Sequence, residues 1–246
     1  MRVVVLIPSR YGSTRFPGKP LAPILGKPMI QWVVERARAA RSVSEVAVAT
    51  DDPRIEEAVA SFGCRVVMTS TTLRSGTDRV HEAARKMGLA AGDIVVNVQG
   101  DQPVFAPECI DQAVAPLKED PAIGMSTMAL AITREKEITD PKDVKVVFDQ
   151  NGFALYFSRS PVPHGRDEDS VFDTYKHLGI YAYTMDFLEK FAALPTGHLE
   201  DVEKLEQLRA LEYGLRCRVV VTEQDSPEVD LPEDVPWIEG LIREGE

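Results

Sequence analysis

The chain has 246 residues, a hydrophobic fraction of 44% and a formal net charge of −11. That size and apolar content fit one large α/β domain with a full core, and the acidic balance argues against general binding to nucleic acid or membrane surfaces. No stretch approaches the roughly 18 apolar residues of a membrane helix, Met1-Arg2 leads into strand residues without a signal-peptide pattern, and Cys64, Cys109 and Cys217 are too far apart for a metal motif or disulfide framework. The expectation is a cytoplasmic protein.

In chain order, Val3-Val4-Val5-Leu6 predicts a buried parallel strand. The loop after it, to Pro20, carries Arg10, Arg15 and Lys19 together with Gly12 and Gly18. In an open α/β sheet the crevice beyond the carboxyl strand ends receives ligands. Glycine lets a backbone turn tightly and bring its N–H groups close to an anion, and the three cations make this a polyphosphate site. It is not a Walker A loop: five residues separate Gly12 from Gly18, and Pro20 stands where Ser or Thr belongs. No G-x-G-x-x-G dinucleotide fingerprint is present either.

Pro28 predicts a helix start, with Ile30, Val33, Val34 and Ala37 on one face. Val46–Thr50 is a second strand; Asp52-Pro53 caps a helix that ends at Gly63; Val66–Thr69 is a third strand. A helix follows from Thr77 to Met87, then a strand from Ile94 to Val98 and a helix opened by Pro107. Repeated β-α units of this length predict a doubly wound, mainly parallel sheet. The middle changes character. Val144–Asp149 and Phe153–Ser158 flank Asn151-Gly152, a hairpin signal, and Tyr175–Thr184 is another long strand. The expectation is a single domain, 1–246, with a β-rich subdomain inserted at about 142–184. Pro161–Thr174 reads as a loop able to move, Val202–Tyr213 as a helix, Cys217–Val221 as a strand returning to the core, and Arg243–Glu246 as a fraying end.

Several residues are candidates for chemistry. Asp101 follows the Ile94–Val98 strand at its carboxyl end, where it either caps the next helix or holds a hard cation. Asp230, in an irregular Pro-containing turn after a late strand, is a second such carboxylate. Ser75-Gly76-Thr77-Asp78-Arg79 reads as a helix N-terminus, with Ser75 or Thr77 as cap and Asp78 at the favourable end of the dipole. His177 and Tyr181 project from one strand face, and Glu206 and Gln207 sit beside Leu205, Leu208 and Leu211 on a helix. By themselves these read equally as core or surface. His81, His164 and His198 form no metal or triad pattern, and Ser9, Ser13 and Ser158 lack an adjacent base or a G-x-S-x-G context. Covalent hydrolysis is therefore not expected.

Pro8 to Leu21, read as P-S-R-Y-G-S-T-R-F-P-G-K-P-L, resembles the nucleotide loop of the 3-deoxy-manno-octulosonate (Kdo) cytidylyltransferase family. Further matches follow in the family's order: Ser75–Arg79, Asn97–Asp101, Tyr156–Arg159, His177–Tyr181, Leu205–Arg209, and Val229-Asp230 with Pro232-Glu233-Asp234. Each is weak alone; the ordered set spans nearly the whole chain. Leu231 departs from the family's usual Thr but leaves Asp230 in place. The resemblance implies a Rossmann-like nucleotidyltransferase fold whose β-rich insert makes a homodimer. It implies that CTP and an eight-carbon 2-keto sugar acid give CMP-Kdo and pyrophosphate, for lipopolysaccharide synthesis in the cytoplasm. It also implies roles for residues. Arg10, Gly12, Ser13, Arg15 and Lys19, with Ser75, Thr77 and Asp78, bind the nucleotide; Gln99, Arg159, His177, Tyr181, Glu206 and Gln207 bind the sugar acid; Asp101 and Asp230 hold Mg2+ and act with Lys19 in catalysis.

Three other readings compete. The short loop Pro163–Asp167 and the run Leu199–Gly214 look somewhat like a cytidylyltransferase for the 8-amino analogue of the same sugar. A CMP-sialic acid synthetase lacks the R-F-P-G-K-P pattern. A non-catalytic nucleotide sensor would bind CTP without releasing pyrophosphate.

Overall fold

The computed structural model describes residues 1–167 and 170–245, so the expected mobile loop and the fraying end lie partly outside the described residues. The chain begins with β1 (Val3–Ser9), a small hairpin of β2 (Pro23–Ile24) and β3 (Lys27–Pro28), and α1 (Met29–Ala39). It continues through β4 (Glu45–Thr50), α2 (Pro53–Ser61), β5 (Arg65–Met68), α3 (Gly76–Lys86), β6 (Ile94–Asn97) and α4 (Glu108–Glu119). Then come β7 (Met125–Ala131), α5 (Glu135–Thr139), β8 (Lys145–Phe148), β9 (Ala154–Ser158), β10 (Tyr175–Thr184), α6 (Met185–Ala192), α7 (His198–Glu203), α8 (Gln207–Glu212), β11 (Arg218–Thr222) and α9 (Val235–Gly245).

The strand order in the main sheet is β11-β7-β10-β6-β1-β4-β5. β1 pairs in parallel with both β4 and β6, and β11 with β7. The unbroken apolar run of β1 now has its reason. Val3, Val5 and Ile7 enter a core with α1, α2 and α4, while Val4 and Leu6 enter a second core with α3, α6 and α8. A strand covered on both faces has no polar side to alternate with. The order reverses at β1, with β4 on one side and β6 on the other, so the loops leaving β1 and β6 diverge around a crevice at the carboxyl strand ends.

The middle of the chain differs from its expected organisation. Tyr175–Thr184 does not stand in a separate insert: β10 lies between β6 and β7 in the main sheet, antiparallel to both. Its second half is apolar on both faces, with Ile180 and Ala182 in one core and Tyr181 and Tyr183 in the other. Such a strand belongs at a sheet's centre. β8 and β9 form the expected hairpin around Gly152 (φ 74°) and extend the same sheet from Tyr175 and Lys176. β7 escaped the pattern because Ser126 and Thr127 interrupt its apolar residues. Both are fully buried and donate to the carbonyls of Ala113 and Ile180.

The helix expected over Val202–Tyr213 is two helices. Lys204 takes a left-handed conformation (φ 53°) that ends α7, and α8 starts after Glu206. No helix among the described residues is long and apolar enough to cross a membrane.

Candidate active site

The loop after β1 closes on itself: the Tyr11 carbonyl accepts from the Ser13 N–H at 2.9 Å and the Gly18 N–H at 3.0 Å. Gly18 has φ 70°, and a Cβ there would meet the Tyr11 ring at 3.0 Å, so this turn requires glycine. Gly12 carries no such requirement: a Cβ there would touch nothing within 4 Å. Arg54 lies over the Tyr11 ring, 3.3 Å from its centroid, and braces the loop from α2.

Loops from β1, β5, β6, β9, β10 and the segment after β11 surround one cleft of about 570 Å3. Every expected site residue except Gly12 and Asp78 lines it. Asp78 stands off the wall because it serves the first turn of α3, where its N–H donates to the Ser75 Oγ at 3.1 Å. Ser75, rather than Thr77, is therefore the cap. Eight Lys and Arg residues line the cleft against four Asp and Glu, so an acidic protein holds a locally basic pocket.

Lys19 is the centre of its charged end. Its Nζ lies 2.5 Å from Asp101 Oδ2 and 3.9 Å from Asp230 Oδ1, and donates to the Val229 carbonyl at 2.8 Å. Arg15 pairs with Asp230 at 3.0 Å. Two residues 129 positions apart in sequence are thus drawn to one cation; the Val229 N–H, donating to the Asp101 carbonyl at 2.9 Å, holds their backbones together. This is an all-oxygen set of two carboxylates, and hard cations such as Mg2+ take one or two carboxylates alongside substrate phosphates.

Glu228 is the functional-site residue that the sequence reading missed. The residue is exposed and its side chain opens onto the cleft, where Gln102 Nε2 donates to it at 3.2 Å. Desolvation first, then the charges of Asp101 and Asp230, push its pKa up to about 8. An acid two positions before Asp230 in the same irregular turn was the available signal.

At the other end, a bulge at Gly179 (φ 68°) breaks the pairing of β10 with β7 between His177 and Tyr181 yet leaves both on one face, their rings 5.1 Å apart. The Thr127 hydroxyl donates to the Ile180 carbonyl at 2.8 Å, so at its 2.8 Å contact with His177 Nε2 it can only accept. Nε2 therefore carries the proton, and Nδ1 is left as an acceptor. Burial pushes the His177 pKa down to about 3, which favours a neutral ring at neutral pH.

That shift has a testable sign. Between pH 3 and 6.5 the unfolded chain binds a proton at His177 that the native state refuses, so stability falls as pH drops below 6.5. Wild type should lose roughly 1.5 kcal/mol more between pH 6.5 and pH 5 than His177→Gln. Urea denaturation of both proteins at the two pH values measures the difference; equal losses would mean that the imidazole is not held neutral.

Glu206 sits just before α8 rather than within the helix expected to hold it. Burial pushes its pKa up, against hydrogen bonds from Thr77 and Ser75 that pull it down. Gln207 is buried, and its Nε2 has no partner among the described residues. Arg159, at the end of β9, is more committed than a free carboxylate clamp would be. Its Nε donates to the Glu203 carbonyl at 2.7 Å and its Nη1 to the Pro141 carbonyl at 2.9 Å. Nη2 lacks a partner among the described residues and Nη1 keeps a second N–H, so a two-point contact with a carboxylate is confined to these two nitrogens. Lys142 and Lys204, which the sequence reading did not select, line the same end.

The family model described as cytidylyltransferase matches residues 4–220. A 3-deoxy-manno-octulosonate cytidylyltransferase from Desulfatibacillum aliphaticivorans is 68% identical over 99% of this chain and 100% of its own length. An 8-amino-3,8-dideoxy-manno-octulosonate cytidylyltransferase from Shewanella piezotolerans is 56% identical over 98% of this chain and 99% of its own. The solved structure of a CMP:2-keto-3-deoxy-manno-octonic acid synthetase complexed with CTP superposes with a TM-score of 0.93 at 41% identity, covering 100% of both chains.

Proposed function

The chain belongs to the cytidylyltransferase family and is a nucleotidyltransferase, and on that premise we propose the division of labour in its cleft. The reaction is transfer of CMP from CTP to the anomeric hydroxyl of 3-deoxy-D-manno-octulosonate, with release of pyrophosphate. The product serves lipopolysaccharide biosynthesis. The observation that carries the assignment of residues is the convergence of Lys19, Asp101 and Asp230 at one end of a cleft whose other end holds Arg159, His177 and Tyr181.

Arg10, Arg15 and Lys19 bind the β- and γ-phosphates of CTP and stabilise the pyrophosphate as it departs. Ser75 and Thr77, with the Ser13 turn, bind the rest of the nucleotide. The sugar lies against Gln99, His177, Tyr181, Glu206 and Gln207. His177 accepts a sugar hydroxyl at Nδ1, Glu206 and the Tyr181 phenol read others, and Arg159 donates to the carboxylate from Nη2. This leaves the anomeric hydroxyl in line with the α-phosphorus, and positioning together with charge neutralisation does most of the work. Asp101 and Asp230 would hold Mg2+. When bound there, the metal neutralises charge at the α-phosphate and lowers the pKa of the attacking hydroxyl.

Cytoplasmic location and a homodimer complete the proposal. Leu155 on β9 and Val202 on α7, 61% and 66% exposed, are apolar side chains that a second copy would cover. The 8-amino analogue is the second reading, favoured by the 56% identical Shewanella relative. Pyrophosphate release measured with all four nucleoside triphosphates against Kdo, its 8-amino analogue and sialic acid tests the whole assignment. CTP with Kdo should give the fastest turnover. Faster turnover of the amino sugar would select the second reading, and CTP binding without pyrophosphate release would overturn both.

Arg159→Ala should raise the sugar KM or lower kcat/KM for sugar with CTP binding preserved. The loss of one charge-assisted contact is on the order of 1.5–3 kcal/mol, roughly 10- to 100-fold. Separate sugar and CTP titrations at unchanged melting temperature measure it; equal losses for both substrates would point to a purely structural arginine.

A further inference from the structure

Lys176 precedes His177 on β10 and points to the opposite face of the strand, away from the cleft. The residue is only 7% exposed. Its Nζ donates at 2.8 Å to Glu137 on α5 and at 2.8 Å to Asp225. Asp225 lies in the irregular segment 223–231 that brings Glu228 and Asp230 into the cleft. Chain without regular structure must be held by specific contacts, because ordering each residue costs backbone entropy. The segment's other ties include Gln102 to Glu228, the Val229 N–H to the Asp101 carbonyl, Lys19 Nζ to the Val229 carbonyl, Arg15 to Asp230, and the Asp230 and Leu231 N–H groups to Asp234. Of the residues in these ties, Arg15, Lys19, Asp101, Glu228 and Asp230 line the cleft. The Lys176 ion pair instead reaches the segment from the back of β10.

An ammonium withdrawn from water needs its carboxylates, and a buried ion pair seldom adds stability over apolar side chains of the same volume. What such a pair does add is a fixed position. Resting on the reading of the cleft given above, we propose that Lys176 is a positioning residue: through Asp225 it fastens the segment carrying Asp230 to the strand carrying His177, Gly179 and Tyr181. It thereby sets the spacing between the cation-holding carboxylates and the wall that holds the acceptor sugar. Gln102 makes a second tie of the same kind, donating both to the Leu178 carbonyl at 2.6 Å and to Glu228.

Asp225→Asn tests this with the fold kept. The Asp225 side chain is 39% exposed, and Lys176 keeps its contact with Glu137 in the variant. Mn2+ binding to the CTP-loaded enzyme is read from the loss of the free Mn2+ resonance signal, alongside the Mg2+ dependence of pyrophosphate release. Losing an outer contact that orients a metal ligand should weaken Mn2+ binding roughly 10-fold. The Mg2+ needed for half-maximal rate should rise in step, with kcat recovering at saturating Mg2+ and the CTP KM little changed. Asp225→Glu should restore part of the affinity, and Lys176→Met should move the same readouts further in the same direction. A merely structural role predicts instead a lower melting temperature and losses that Mg2+ does not repair. If Asp225→Asn binds Mn2+ as tightly as wild type, the clamp is overturned and the proposed function stands. If the wild-type CTP complex binds no Mn2+, the metal assignment of Asp101 and Asp230 falls, and this inference with it.

Discussion

Asp101→Asn and Asp230→Asn should each lower turnover by roughly 10²–10⁴-fold, equivalent to on the order of 3–5 kcal/mol of transition-state stabilisation. Each exchange removes one anionic oxygen donor and keeps the side-chain shape. The backbone ties at these positions do not depend on the missing charge: the Asp101 carbonyl still receives the Val229 N–H, and the Asp230 N–H still donates to Asp234 Oδ2 at 2.8 Å. Melting temperature should therefore stay near wild type while activity falls. Because Mg2+ binds through few protein carboxylates, losing one of two is a large fraction of its protein ligation. The effect should be greatest at limiting Mg2+ and partly repaired by excess. Pyrophosphate release across a Mg2+ series measures it. Near wild-type activity at limiting Mg2+ in either variant removes that carboxylate from the metal site.

Lys19→Ala is expected to cost roughly 10²–10³-fold in kcat, the scale seen when one donor to developing negative charge is removed from a preorganised site. KM for CTP should rise as well, because the proposed role has the same ammonium holding the phosphates before and during departure. Its position argues for this double effect. The residue begins a 3-10 turn after the left-handed Gly18, and its side chain is only 13% exposed, so little solvent screens it. Removing it also leaves Asp101 without its 2.5 Å counter-charge, which should lower the concentration of Mn2+ needed to bind the nucleotide-free protein. Lys19→Arg should rescue poorly, since a planar fork cannot take the place of a compact ammonium between two carboxylates. Steady-state kinetics on both substrates decide the matter: a change confined to the sugar KM would contradict the phosphate assignment.

Much of this molecule was legible in the amino-acid order because the relevant forces are local. The apolar run Val3–Leu6, the Asp52-Pro53 cap and the Asn151-Gly152 turn are each set by a few neighbouring residues, and each stands where periodicity and turn chemistry put it. The loop after β1 belongs to the same class, since its Gly18 turn and its three cations lie within nine residues from Arg10. The family's motifs extended that reading to the far ends of the chain, because a shared fold preserves their order even where no local rule explains them.

The tertiary structure decided what depends on distant partners. β10 is central rather than part of an insert because both of its faces find cores, a fact that no strand pattern contains. Asp101 and Asp230 share a cation only because the Val229 N–H reaches the Asp101 carbonyl across the cleft. The His177 tautomer is set by a hydroxyl on a neighbouring strand whose own proton is already given to Ile180. Arg159 gives two of its five donors to carbonyls 44 and 18 residues away, which anchors the side chain and leaves the far edge of its guanidinium for a ligand. Glu228 joins the cleft wall beside Asp101, and Lys176 finds its two carboxylates 39 and 49 residues away. Hydrogen bonds and desolvation act over a few ångströms, and only the folded chain determines which groups come that close.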